Sequence, residues 1–294
     1  MRDFNYLEPT SVEEASRLLA ELEDEEVRLI AGGTALILTL RQRMLRPEHL
    51  VSLARIDRLR GIDYDPARGL RIGALERHAD IASSSLVRQH YPVLAAMAGQ
   101  VANPQVRNQG TLGGNLCYGD PSTDPPSCLL ALDASVVLGS TRGERTMPLS
   151  EFLVDFFENA LESDELLLEV RVPPLPAGAA GVYSRFLRTA AEHRPLVSVA
   201  LVAARSGASC SMARLAVGAS TPVPTRVPRA EACLAGRDVT PAVAAEVADI
   251  VVQDIQVMSD SRGSEEYRRA MVRAVVRRAV CELFELSIDE GVPA

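Results

Sequence analysis

Between Val27 and Leu53 the chain spells out a strand, a glycine break, a helix and a second strand. Val27-Arg28-Leu29-Ile30-Ala31 is a short apolar run that reads as a buried strand. Gly32-Gly33-Thr34 interrupts it, Ala35 to Arg43 has helical composition, and His49-Leu50-Val51-Ser52-Leu53 reads as the next strand. This order makes a small βαβ unit. Upstream, Ser11 stands three residues before Glu14, and Ala15, Leu18, Leu19 and Leu22 share one helical face, which predicts a capped helix. A glycine pair between strand and helix turns the backbone tightly and presents unblocked N–H groups, a geometry that suits a diphosphate. Alone, such a glycine pair is more often just a turn, and it is neither Gly-x-Gly-x-x-Gly nor a P-loop.

A second block runs from about Gly61 to Pro173. Gly69 to Ala74 is a short strand, Ala79 to Ala102 is largely helical with a break near Tyr91-Pro92, and Val136-Leu138 and Leu166-Val172 are strands. Between them, Asn103 to Pro126 is dense in Gly, Asn, Asp and Pro and reads as a long loop; such stretches inside a domain are usually functional. Pro173-Pro-Leu-Pro176 with Gly178 marks a boundary. Beyond it, Gly181–Thr189, Leu196–Arg205 and Ala213–Ala219 form an antiparallel meander. After the proline-rich 221–228 the chain is helical to its end, with Arg269, Arg273 and Arg277 as a solvated or partner-facing stripe.

Composition narrows the function classes. With 31 Lys+Arg against 39 Asp+Glu the net charge is −8, and aromatics are 4% with no Trp. Neither a concentrated basic surface nor a stacking platform for nucleic acid is present. The start, Met1-Arg2-Asp3-Phe4-Asn5, is charged at once, and no run of about eighteen apolar residues occurs. The expectation is a cytoplasmic α+β protein with no integral membrane segment. Five scattered cysteines read as reduced thiols, and the four histidines form no i, i+4 pair, so no metal ligand is assigned.

The second glycine segment is Asn103-Pro-Gln-Val-Arg-Asn-Gln-Gly-Thr-Leu-Gly-Gly-Asn115, running on to Asp120 and Asp124. Thr111 and Asn115 flank two glycines and can wrap a phosphate or a ribityl chain. Asp124 can accept hydrogen bonds from ligand hydroxyls. For Asp120, capping of a local turn is as good a reading as function.

The pair Ala-Gly-Gly-Thr near residue 32 and Gln-Val-Arg-Asn-Gln-Gly-Thr-Leu-Gly-Gly-Asn-Leu near 110 lies about eighty residues apart. Together with Asp260-Ser-Arg-Gly-Ser-Glu-Glu-Tyr-Arg-Arg269, it resembles the FAD-binding medium subunit of the molybdenum hydroxylases over nearly the whole chain. That family includes the flavin subunits of carbon monoxide dehydrogenase, xanthine dehydrogenase and 4-hydroxybenzoyl-CoA reductase.

The resemblance implies a two-part FAD-binding domain of the vanillyl-alcohol-oxidase/PCMH type at 1–175, divided into 1–58 and 59–175. A smaller α/β domain with a three-stranded antiparallel sheet and helices follows at 176–294. It further implies that Leu29, Ile30, Ala31, Gly32, Gly33, Thr34, Ala35 and Leu36 hold the FAD diphosphate with Thr111, Leu112, Gly113, Gly114 and Asn115. Asp124 would meet the adenosine or ribityl part, and Val101, Leu167 and Leu187 complete the implied contacts. In the family a basic residue often stands where Leu187 aligns, with Arg185 and Arg188 beside it. No cysteine group has the spacing of the extra iron–sulfur cluster of the 4-hydroxybenzoyl-CoA reductases, so FAD is the single redox centre expected here. The implied partners are a large molybdenum-cofactor subunit and a small subunit with two [2Fe-2S] clusters, in a dimer of heterotrimers. FAD would pass their electrons to an external acceptor, and no catalytic residue is assigned because the chemistry belongs to the flavin. His193 reads as a surface-loop residue. Two rivals are a self-sufficient flavoprotein reductase of the same fold and a flavin-free scaffold.

Overall fold

The structure is a computed structural model describing residues 3–287; Met1 and Arg2 of the charged amino terminus and residues 288–294 lie outside it. The opening unit is a parallel three-stranded sheet of β1 (Asn5–Leu7), β2 (Val27–Ile30) and β3 (His49–Ser52), in the order β1-β3-β2. Helix α1 (Val12–Glu21) crosses between β1 and β2, and α2 (Leu36–Arg41) between β2 and β3. Ser11 caps α1 by accepting the Glu14 N–H at 3.1 Å, while the Glu14 carboxylate reaches back to Thr10.

The second unit is an antiparallel five-stranded sheet in the order β4-β5-β10-β6-β7. Its strands are β4 (Ile62–Asp65), β5 (Gly69–Gly73), β6 (Ser135–Ser140), β7 (Gly143–Pro148) and β10 (Leu166–Val172). Three helices follow β5: α3 (His78–Ser83), α4 (Ser85–His90) and α5 (Pro92–Gln100). The stretch expected to be a long loop is instead three short helices, α6 (Pro104–Gln109), α7 (Leu112–Tyr118) and α8 (Pro125–Ala131). The residues that look like loop formers are their start signals: Asn103 and Thr111 accept N–H groups of the first turns, and prolines occupy the first turns of α6 and α8. After β7, α9 (Leu149–Phe152) leads into a hairpin of β8 (Leu153–Asp155) and β9 (Glu158–Asn159), whose tip exposes Phe156 and Phe157.

The last unit is the antiparallel meander of β11 (Ala179–Phe186), β12 (Val197–Ser206) and β13 (Ser209–Gly218), extended by the two-residue β14 (Thr225–Arg226) and β15 (Arg237–Asp238). Helices α10 (Pro228–Leu234), α11 (Pro241–Asp254) and α12 (Glu265–Leu283) cover one face of it. The other face joins the core of α5, α8 and the five-stranded sheet through Tyr183, Ala200, Val202 and Ala216. Burial on both faces explains why Val197–Ala204 is continuously buried instead of alternating. A third core lies between α1 and the five-stranded sheet, where Val12, Ala15 and Leu19 meet Val137, Leu166 and Leu168.

In the centre of that sheet, β10 carries a charge. Glu169, 2% exposed, accepts from Arg58 at 2.7 Å, Arg71 at 2.6 Å and Arg171 at 2.7 Å. Burial by itself would raise the carboxyl, but the three guanidiniums overcome it and hold the pKa at about 2. The arginine stripe of α12 is largely spent within the chain: Arg269 bonds Glu265 and the Val252 carbonyl, and Arg273 pairs with Asp249.

Candidate functional site

The two glycine segments, distant in sequence, touch. A Cβ on Gly32 would lie 2.0 Å from the Gln109 carbonyl oxygen and 3.0 Å from Gly110 Cα, so only a glycine lets the two backbones meet. Next to it Gly33 turns with φ +69°, a left-handed conformation that glycine adopts at little cost. Ala31 faces Gly114 across the same junction, and Thr34 faces Gly110. Residues 29–36 are all half-buried, open enough to meet a ligand.

Their amides are available. Among the described residues, the N–H groups of Gly32, Gly33, Thr34, Ala35 and Leu36 donate to no protein acceptor, and α2 has no side-chain cap. Successive unpaired N–H groups on a tight turn form an anion-binding concavity. The second segment is built differently. The Leu112 and Gly113 amides donate to the Glu76 and Ala74 carbonyls at 2.9 and 2.8 Å, and the Gly114 amide to Thr111 Oγ1 at 3.2 Å. Gly113 is there for packing, since a Cβ would lie 2.6 Å from that of Ala74. What this segment offers is the half-buried Asn115 side chain, whose Oδ1 lies 3.1 Å from the Thr123 hydroxyl.

Asp124 is buried at the start of α8. Its Oδ1 accepts from the Tyr183 hydroxyl at 2.6 Å and from Arg185 at 3.1 Å, which ties β11 to this loop. Burial raises the Asp124 carboxyl against the pull of both partners; burial and the adjacent Asp124 push the Tyr183 phenol well up, so it stays a donor. Arg185 is thus committed to Asp124, and Arg188 to Glu192 and the Arg262 carbonyl. Leu187 is half-buried just beyond β11, whereas Val101 and Leu167 are packed in the core. His78, 2% exposed, sits under Gly110; burial, with the charge of Arg107 adding, lowers its pKa to about 4.

Beyond Asn115 the chain borders a cleft of about 510 Å³. Asp120 and Ser122 form one wall, the Phe156-Phe157 tip another, and Glu192, His193 and Arg194 with Asp260 and Arg262 close it. Arg262 bridges the units, donating to Ser122 Oγ at 2.7 Å and to the Pro195 carbonyl at 3.3 Å. Behind it the fully buried Arg268 bonds the Ala219 carbonyl at 2.8 Å and pairs with Asp260 at 2.6 Å. Sequence reading had no signal for the aromatic tip or for Tyr183; the Asp260–Arg269 motif did carry Arg262 and Arg268, though not their roles.

Residues 2–175 match the family described as FAD binding domain in molybdopterin dehydrogenase, and residues 182–283 match the CO dehydrogenase flavoprotein C-terminal domain. The chain is 36% identical to the 6-hydroxypseudooxynicotine dehydrogenase complex subunit alpha of Paenarthrobacter nicotinovorans, over 95% of this chain and 94% of that one. It is similar in structure to a chain of carbon monoxide dehydrogenase from Hydrogenophaga pseudoflava, with a TM-score of 0.91, 35% identity and coverage of 95% and 96%. Quinoline 2-oxidoreductase from Pseudomonas putida 86 follows, with a TM-score of 0.90, 28% identity and coverage of 97% and 98%. With both family models matched along its length and relatives alike over nearly the whole of both chains, the chain is a member of the FAD-binding medium subunits of the molybdenum hydroxylases, an oxidoreductase family.

Proposed function

We propose that this chain is the FAD-containing electron-transfer subunit of a heterotrimeric molybdenum hydroxylase. In this reading a large subunit oxidises substrate at a molybdenum cofactor, a small subunit relays electrons through [2Fe-2S] clusters, and this chain delivers them to an external acceptor. The observation that carries the reading is the row of unpaired amides at residues 32–36, on a glycine turn seated against Gln109 and Gly110 with Ala31 against Gly114. Bound FAD supplies the two-electron chemistry, and the protein supplies position and electrostatics.

Each residue then has a task within the chain. Gly32 and Gly33 bring the amides of 32–36 to the diphosphate, and Asn115, set by Thr123, adds a side-chain donor. Asp124, with Tyr183 and Arg185, fixes β11 against the loop through which the cofactor reaches the cleft. Leu29–Ala31, Thr111 and Leu112 frame the cradle, while Val101 and Leu167 support it from the core and Leu187 from the end of β11. The cleft at Asp120, Phe157 and His193 receives the ring end. Residues 1–175 act as the FAD-binding domain, 1–58 and 59–175 being its parts, and 176–294 as a second domain. Among the described residues no helix is long and apolar enough to cross a membrane, and we place the complex in the cytoplasm as a dimer of heterotrimers.

The test is to assemble the chain with its molybdenum and iron–sulfur subunits and follow flavin absorbance on adding substrate. The flavin bleaches in the full complex and not when the iron–sulfur subunit is left out. Substrate-driven bleaching of this chain alone would overturn the proposal in favour of a self-sufficient flavoenzyme.

A further inference from the structure

Helix α6 is placed without a core of its own. None of its residues is buried, yet its last one, Gln109, carries the carbonyl against which Gly32 closes. A helix this short that buries no apolar side chain has to be fixed by polar contacts. At its start Asn103 accepts the Val106 N–H at 2.9 Å, and just past its end the Gly110 carbonyl accepts the His78 N–H at 3.1 Å. Between these two ties Arg107 reaches back along the chain. Its Nη1 donates to the Val101 carbonyl at 2.9 Å and to the Ala102 carbonyl at 3.4 Å.

Both acceptors matter. Val101 ends α5 and is buried in the core, so this bond fastens an unburied helix to a buried anchor. Ala102 has φ +42°, a left-handed conformation that strains any residue with a Cβ and persists only when its surroundings hold it. Arg107 is half-buried and, among the described residues, pairs with no carboxylate, although acidic residues outnumber basic ones by 39 to 31. Its guanidinium is given to the turn and not to an ion pair. The same charge reaches His78 under Gly110, adding to the burial that lowers that imidazole's pKa.

We infer that Arg107 is the positioning residue of the diphosphate cradle: by pinning α6 to the Val101–Ala102 turn it seats Gln109 and Gly110 against Gly32 and Thr34 and so aims the amides of 32–36. The inference rests on the FAD reading above. It gives a task to a residue of the second glycine segment that touches neither glycine turn itself.

The experiment titrates the full chain and its variants with FAD and follows the melting of each apo protein. Arg107→Met keeps the aliphatic stem and removes the donor, and FAD affinity falls about tenfold. Arg107→Lys puts one ammonium where Nη1 meets both carbonyls, and it binds FAD within about threefold of the parent. That rescue separates positioning from bulk packing, which methionine serves as well as lysine. Arg107→Met combined with Ala102→Gly relieves the strained turn but leaves α6 untied, so it keeps the tenfold loss and serves as the test if the single variant does not fold. A methionine variant, single or double, that binds FAD within twofold of the parent overturns the inference and leaves the FAD reading standing. So does an Arg107→Lys chain as weak as the methionine variant. Failure of the unaltered chain to bind FAD overturns both.

Discussion

Replacing Gly32 by alanine tests the junction on which the site depends. The added methyl carbon would lie 2.0 Å from the Gln109 carbonyl oxygen, 2.8 Å from its carbon and 3.0 Å from Gly110 Cα. All three are backbone atoms, so no side chain can swing aside. Restoring ordinary van der Waals contact moves the two glycine segments apart by a little over ~1 Å, an overpacking strain of about 1–3 kcal/mol. For a chain of this size that lowers the melting temperature by roughly 2–4 °C per kcal/mol. A displacement near 1 Å also spoils the aim of the 32–36 amides, and we expect FAD affinity to fall by about tenfold to a hundredfold. Gly143→Ala is the control: its φ of +114° is strained for alanine, but nothing lies within 4 Å of the added carbon, so it costs stability without affecting FAD. The assays are thermal denaturation of the apo chain and fluorescence titration with FAD. A Gly32→Ala protein that melts like the parent and binds FAD within twofold of it would refute the reasoning.

Other substitutions probe the charges. Glu169→Gln leaves three guanidiniums around a neutral group; because those arginines are 29–48% exposed, solvent absorbs part of the loss, and chemical denaturation should show roughly 2 kcal/mol instead of the ~3–5 kcal/mol of a fully buried pair. The same carboxylate is depressed to about 2, so the stability it adds is complete above the ordinary carboxylate range and is lost as pH falls from about 4.5 through 2, a loss the Gln variant should not show. His78, lowered to about 4, adds stability that is complete above about 6.5 and is lost as pH falls through 4; His78→Phe should flatten the melting profile in that window by about 3 kcal/mol. Tyr183→Phe removes a donor to buried Asp124, and calorimetry should show a loss of about 1–3 kcal/mol.

Much of the architecture was legible because apolar runs and breakers do local work. The βαβ unit at 27–53 is where its glycine pair and periodicities place it, and the meander of β11–β13 follows its apolar runs. The passage 103–126 was misread for a physical reason: Asn, Thr, Asp and Pro are loop residues and helix starters alike, and three helices of six or seven residues leave no room for a periodic pattern. Strand β1 is three residues long and exists through parallel pairing with β3, which local sequence cannot announce. In the site, the motifs marked both glycine segments but not the division of labour between them. Gly113 and Gly114 look like phosphate-binding glycines; Gly113 packs on Ala74, and Gly114 lies in a helix without the left-handed backbone that would make glycine indispensable there. The links from Asp124 to Tyr183, from Ser122 to Arg262 and from Glu169 to its arginines join residues far apart in the chain, so only folding reveals them.

The flavin released from the purified chain tests whether the amides at 32–36 hold the diphosphate of FAD, as proposed. Acid precipitation followed by chromatography and absorbance should give one FAD per chain, non-covalently held, with the Gly32→Ala protein retaining markedly less. FMN in the supernatant, or no yellow colour after reconstitution with FAD, would contradict the account.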